Sequence, residues 1–149
     1  AWGLYESLQL LGDAALERSD PAGARTRLVE ALALARREGD RPAVADILES
    51  LARVAAGRGG GTPAASRAAG LFGAATALRE ATGAPPSPVE RAFNERYVAR
   101  ARQQLTPAAF AAAWAAGRGL TEEEVVTHAL AEDRDTEVGF GAARDVAEV

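Results

Sequence analysis

Apolar positions along this chain recur at intervals of three and four, and no stretch alternates apolar with polar residues. That period is helical, and the absence of alternation, with Val and Ile sparse, leaves strands without a sequence basis. Turn residues divide the periodic stretches. Ser19-Asp20-Pro21 ends one helix and starts the next, with Pro21 suited to a first helical turn. Glu38-Gly39-Asp40-Arg41-Pro42 repeats that arrangement, and Gly57 to Pro63 reads as a flexible glycine-rich loop. Gly83 to Pro88 reads as a rigid loop, and Thr106-Pro107 and Thr121 are further starts. Thr121 with Glu124 has the spacing of a capping box, in which threonine and glutamate satisfy exposed first-turn amides reciprocally. The pattern predicts helices over 1–18, 21–38, 42–57, 64–82, 88–104, 107–117 and 121–131.

The helices repeat. Leu8, Leu11, Gly12 and Ala15, followed by Ala24, Leu28 and Ala31, match Leu48, Leu51, Ala52 and Ala55, followed by Ala68, Phe72 and Ala75. The first helices are related by a shift of 40 residues and the second by 44, which places a four-residue insertion in the glycine-rich loop. Small residues at Gly12, Ala24, Ala31, Ala52, Ala68 and Ala75 allow close helix approach, with Leu28 and Phe72 filling the seam. A hairpin with one apolar face cannot bury it alone, so hairpins 1–38 and 42–82 are expected to stack. A third pair, 88–117, is expected to close the stack. Val89, Phe93, Tyr97, Ala101 and Leu105 form one apolar stripe there, with Phe110 and Trp114 on the next helix. The expected fold is all-α: a helical domain over 1–131, with an extra helix at 121–131 and an acidic, loosely ordered tail at 132–149.

Composition sharpens this picture. Nearly half the residues are hydrophobic, but alanine supplies much of that and aromatics make up only 5%, so close approach must replace bulky core side chains. There is no cysteine, which excludes disulfides and thiolate metal sites. No apolar run approaches the roughly 20 residues that span a bilayer. Together with the lack of a signal-peptide pattern, this gives a cytoplasmic expectation. The start at Ala1, without methionine, suggests an excised segment of a longer chain. Every basic residue is arginine, a mark of GC-rich coding bias. The segment from Arg53 to Leu120 is net basic and that from Thr121 to Val149 acidic, so the tail repels nucleic acid and membrane surfaces.

The spacing of Leu11, Gly12, Ala15, Ala24, Leu28 and Ala31 resembles the tetratricopeptide repeat, with alanine at the usual first-helix aromatic and Arg36 at the usual closing proline. Residues 68–130 are more specific. Leu71-Phe72-Gly73-Ala74-Ala75, Leu78-Arg79-Glu80, the proline break, Phe110-Ala111-Ala112-Ala113-Trp114 and Gly117-Arg118-Gly119-Leu120 carry the likeness. This stretch resembles the C-terminal end of the tetratricopeptide region in large bacterial transcriptional regulators of the LuxR-type and AfsR-like ATPase families. The resemblance implies a tetratricopeptide-like α-α superhelix: a sensor or scaffold arm without catalysis of its own, next to an ATPase module and, in some members, a DNA-binding domain. No GxxxxGK[ST] phosphate loop is present in this chain.

Candidate chemistry is thin. Leu105 to Val126 also resembles the opening of a LuxR-type helix-turn-helix, which gives an alternative DNA-binding module at 105–140. The recognition helix would then carry Glu132, Asp133, Asp135 and Glu137, which oppose phosphate contact. His128 is the only histidine, so no zinc site is expected. Glu122, Glu123 and Glu124 point in different directions on a helix and suit its positive end better than a metal. The serines at 7, 19, 50, 66 and 87 lack a GxSxG setting, and Gly59-Gly60-Gly61 lacks a following lysine. No catalytic, cofactor-binding or metal-ligating residue is therefore nominated, and no enzyme is expected. Arg91, Arg96, Arg100 and Arg102 read as a solvated face, with Arg91 and Glu95 able to pair at i,i+4.

One surface remains. By the resemblance, the first helix of each pair lines a concave groove, here presenting Glu6, Gln9, Asp13 and Glu17, then Asp46, Glu49 and Arg53. Its acidic balance suits a basic or arginine-bearing protein or peptide, or a neighbouring domain of the same chain. The expected function is protein interaction or signal sensing within a bacterial transcriptional regulator, or else a free-standing helical adaptor.

Overall fold

The computed structural model describes residues 3–57 and 59–131. Among them are seven helices and no strand: α1 Leu4–Glu17, α2 Pro21–Glu38, α3 Arg41–Gly57, α4 Gly61–Thr82, α5 Pro88–Gln104, α6 Pro107–Arg118 and α7 Glu122–Leu130. The chain is all-α, as its periodicity predicts. The expected acidic tail at 132–149, and with it the last part of the alternative DNA-binding module, lies outside the described residues.

Local chemistry sets the boundaries. Asp20 accepts from the Gly23 amide at 3.0 Å and Pro21 opens α2. Ser87 and Glu90 form a reciprocal capping box at the start of α5. Thr121 and Glu124 form the expected one at the start of α7, at 3.1 and 2.9 Å. Each box satisfies two orphan amides. The Thr121 backbone amide and hydroxyl hold the Glu124 carboxyl below its ordinary value. Gly83, at φ 66, closes α4 in a left-handed turn that a Cβ would strain.

The two hairpins form as expected. Ala24, Leu28, Ala31, Ala52, Ala68 and Ala75 are fully buried and Phe72 almost so. A Cβ on Gly12 would lie 2.7 Å from the Leu28 side chain, so the α1–α2 approach depends on its absence. The extra four residues of the second hairpin, however, are not in the loop. α2 and α4 begin 40 residues apart, at Pro21 and Gly61, and end 44 apart, at Glu38 and Thr82. The insertion lengthens α4 at its N-terminal end, taking Gly61, Thr62 and Pro63 into the helix. Four residues make just over one helical turn, and because they are added at the N-terminal end the buried face keeps its phase.

The third pair departs from expectation. α6 runs against α4, whereas α5 lies against α3 and α4 and barely touches α6. Glycine explains the choice. A Cβ on Gly117 would sit 1.8 Å from the Gly70 carbonyl oxygen, and one on Gly73 would sit 2.3 Å from that of Trp114. The backbones of α4 and α6 therefore meet directly. The stripe on α5 is only partly covered: Ala101 is buried, Phe93, Tyr97 and Leu105 are half-buried, and Val89 is 79% exposed. α7 covers α4 and α2 with Val125, Val126 and Ala129. Its last carbonyls accept from distant arginines, Ala129 from Arg25 at 3.1 Å and His128 from Arg67 at 2.9 Å. No helix among the described residues is long and apolar enough to cross a membrane.

Candidate functional site

Five of the seven expected groove residues fall into two polar networks. In the first, the Arg53 guanidinium, buried under the Phe93 ring, donates to Asn94 Oδ1 at 2.5 Å, to Ser50 Oγ at 2.9 Å and to Asp13 Oδ1 at 3.3 Å. Gln9 joins through Ser50 at 3.4 Å. In the second, Arg79 grips Glu49 with two nitrogens, Nε to Oε2 at 3.0 Å and Nη2 to Oε1 at 2.5 Å. Its Nη2 also donates to Asp46, and its Nη1 to the Ala84 carbonyl at 3.0 Å. Glu6 and Glu17, near the two ends of α1, belong to neither network.

The net charge of the expected groove residues is thus not the sum of their carboxylates. Asp13 and Glu49 are ion-paired within the fold, and Glu49 is only 7% exposed. Asp46 and Glu49 share one guanidinium, which leaves one negative charge in excess. Desolvation raises Asp46 above its ordinary value, and the attraction of Arg79 does not offset that burial together with Glu49 and Glu90. For Arg79, burial acts downward, but its bonds to Glu49 and Asp46 outweigh it and hold the guanidinium firmly charged. The buried pair is exacting because neither partner tolerates loss of the other.

Arg79 also builds a second surface. Through Ala84 it tethers the loop that carries Pro85 and Pro86, and this loop closes one end of the gap between α5 and α6. The gap is a cleft of about 440 Å³. Phe72 from α4, Val98 from α5, Trp114 from α6 and the two prolines give it apolar walls, with Glu49 and Arg79 at one side. Glu80, also on the wall, pairs with Arg118 at 2.7 Å, a bond that lowers its carboxyl below the ordinary value. Arg91 and Glu95 of α5 line the cleft but form no pair with each other, against the i,i+4 expectation.

Of the expected groove residues, Gln9, Asp13, Asp46, Glu49 and Arg53 lie in these networks, whereas Arg79, Ser50 and Asn94, which complete them, were not among those expected. A lone arginine in the alanine-rich second half of α4 was the available signal for Arg79. Its partners, 30 and 33 residues upstream, depend on how α3 and α4 pair. The cleft had no sequence signal, because it arises from the failure of α5 and α6 to pack. Among the described residues, no group of His, Cys, Asp and Glu could hold a metal ion. Comparisons with protein-family models, curated proteins and solved structures return no match for this chain.

Proposed function

We propose that this chain is a non-catalytic protein-interaction and signal-sensing segment of a bacterial transcriptional regulator, tetratricopeptide-like in architecture and cytoplasmic. The observation that supports this reading is a polar side-chain network and an apolar-walled cleft on a repeated helical scaffold. Polar side chains of α1 and α3 are linked through Arg53 and Asp13, and the apolar-walled cleft opens between α5 and α6. A cleft with convergent polar groups is the usual form of a ligand site. The groove retains Glu6, Glu17 and the unmatched charge of the Asp46–Glu49 pair, which suits a basic peptide or a basic face of a neighbouring domain. Binding at either surface would shift the regulator between resting and active states by its different affinity for the two.

Reading the native frame on both sides of Ala1 and Val149 tests the proposal. A nucleotide-binding ATPase module upstream, with or without a DNA-binding domain downstream, supports it. A frame carrying neither module sinks it and leaves a free-standing adaptor. Retention of this chain on duplex DNA at low salt, lost as salt rises, would favour the DNA-binding module at 105–140 instead.

A further inference from the structure

We propose that the cleft between α5 and α6 binds a free amino acid with an apolar side chain, recognised as a zwitterion. The inference rests on the signal-sensing reading and gives that signal a chemistry. A volume of about 440 Å³ accommodates such a molecule, and Phe72, Val98, Trp114, Pro85 and Pro86 offer its side chain an apolar bed.

The head-group chemistry follows from which polar groups in the cleft remain unused. Glu49 and Arg79 are committed to each other, and Glu80 to Arg118. Thr76 gives its hydroxyl proton to the Phe72 carbonyl, which leaves lone pairs only. Asn94 is buried, and its Oδ1 accepts from Arg53. That bond fixes the amide orientation and leaves the Nδ2 protons without a partner among the described residues. Arg91 and Glu95 are likewise unpaired there. The cleft therefore holds an unused cation and amide donor, three residues apart on one face of α5, and an unused carboxylate one position further on.

Arg91 and Asn94 match a carboxylate, while Glu95 and the Thr76 lone pairs match an ammonium. A simple apolar acid would leave Glu95 beside its carboxylate. A simple apolar amine would face Arg91. Only a molecule carrying both charges answers every unused group.

The test uses the chain with Trp2→Phe, so that Trp114 is the sole indole and its fluorescence reports on the cleft. The probes are phenylalanine, 3-phenylpropanoate, 2-phenylethylamine and N-acetylphenylalanine amide, with calorimetry as a second readout. Phenylalanine is expected to bind about tenfold more tightly than either singly charged analogue. Arg91→Gln and Glu95→Gln should each weaken it by about tenfold. Both residues are exposed, so helix content by circular dichroism should not change. Equal or tighter binding of a singly charged or neutral analogue, unchanged affinity in both variants, or no binding by any probe overturns the inference. Should no probe bind while the native frame carries the ATPase module, the amino-acid site falls and the regulator reading stands. Zwitterion-selective binding in a frame without that module keeps the site and removes the regulator reading.

Discussion

The first and second hairpins carry the same apolar pattern and end in different surroundings. Val44 and Leu51 of α3 are 0% and 2% exposed, because α3 lies among α2, α4 and α5. Their equivalents on α1, Leu4 and Leu11, are 50% and 48% exposed, because α1 packs chiefly on α2. The polar positions diverge too. Asp46, Glu49 and Arg79 form the clamp of the second hairpin, whereas the matching positions in the first are Glu6, Gln9 and Ala35. The pattern decides which face of a helix is apolar, and the neighbours decide how much of that face leaves water.

The clamp gives the largest contrast. Arg79→Ala would strand the buried Glu49 carboxylate and should cost about 3–5 kcal/mol in denaturant unfolding. A smaller loss would mean that Glu49 reaches water through the cleft. Next come the matched leucines. Leu51→Ala should cost about 2–5 kcal/mol, and Leu11→Ala well under half of that. Equal losses in the two variants would show that another surface covers α1 in solution. Gly117→Ala, which drives a Cβ against the Gly70 carbonyl, should cost about 1–3 kcal/mol and loosen α6 from α4, despite the better helix propensity of alanine.

Two smaller effects sharpen the electrostatics. The Tyr5 hydroxyl donates to Asp40 at 2.5 Å, and this bond, with burial and nearby carboxylates, pushes its pKa from 10.0 up to about 12. A raised value means that the contribution is whole below pH 10.0 and is lost as pH climbs through about 12. Thermal melts of Tyr5→Phe should lack that alkaline decline; an unchanged decline would place its origin elsewhere. Asp46 is raised as well, so its charged form adds nothing to stability at neutral pH, and any contribution it makes fades as pH rises above its ordinary value of 3.8. Asp46→Asn keeps an oxygen for Arg79 and should change stability by no more than about 0.5 kcal/mol. A larger loss in urea melts would show that the second carboxylate is needed. The variant is therefore suited to titrating a basic partner against the groove.

Much of this architecture was legible from the chain. Ser87-Pro88, Thr106-Pro107 and Thr121 mark helix starts by local hydrogen bonding, which sequence spacing reports directly. The seams built on Leu28 and Phe72 were legible because their neighbours repeat. The splaying of α5 from α6 was not. It turns on Gly73 and Gly117, whose value lies in a partner backbone that periodicity does not register. The groove illustrates the same limit. Its carboxylates could be placed on one face, but the pairing of Asp13 with Arg53, and of Asp46 and Glu49 with Arg79, depends on contacts between helices.

The end of α7 carries a consequence for the order in which the molecule assembles. Its terminal carbonyls are satisfied by Arg25 and Arg67, 104 and 61 residues upstream. The hairpins, by contrast, close over short connections. Loop closure of such length is entropically late, so the hairpins come together first and α7 docks last. The same ordering makes α7 the first element to detach. Its amides should exchange with solvent through a local opening, well below the energy that releases α3 and α4.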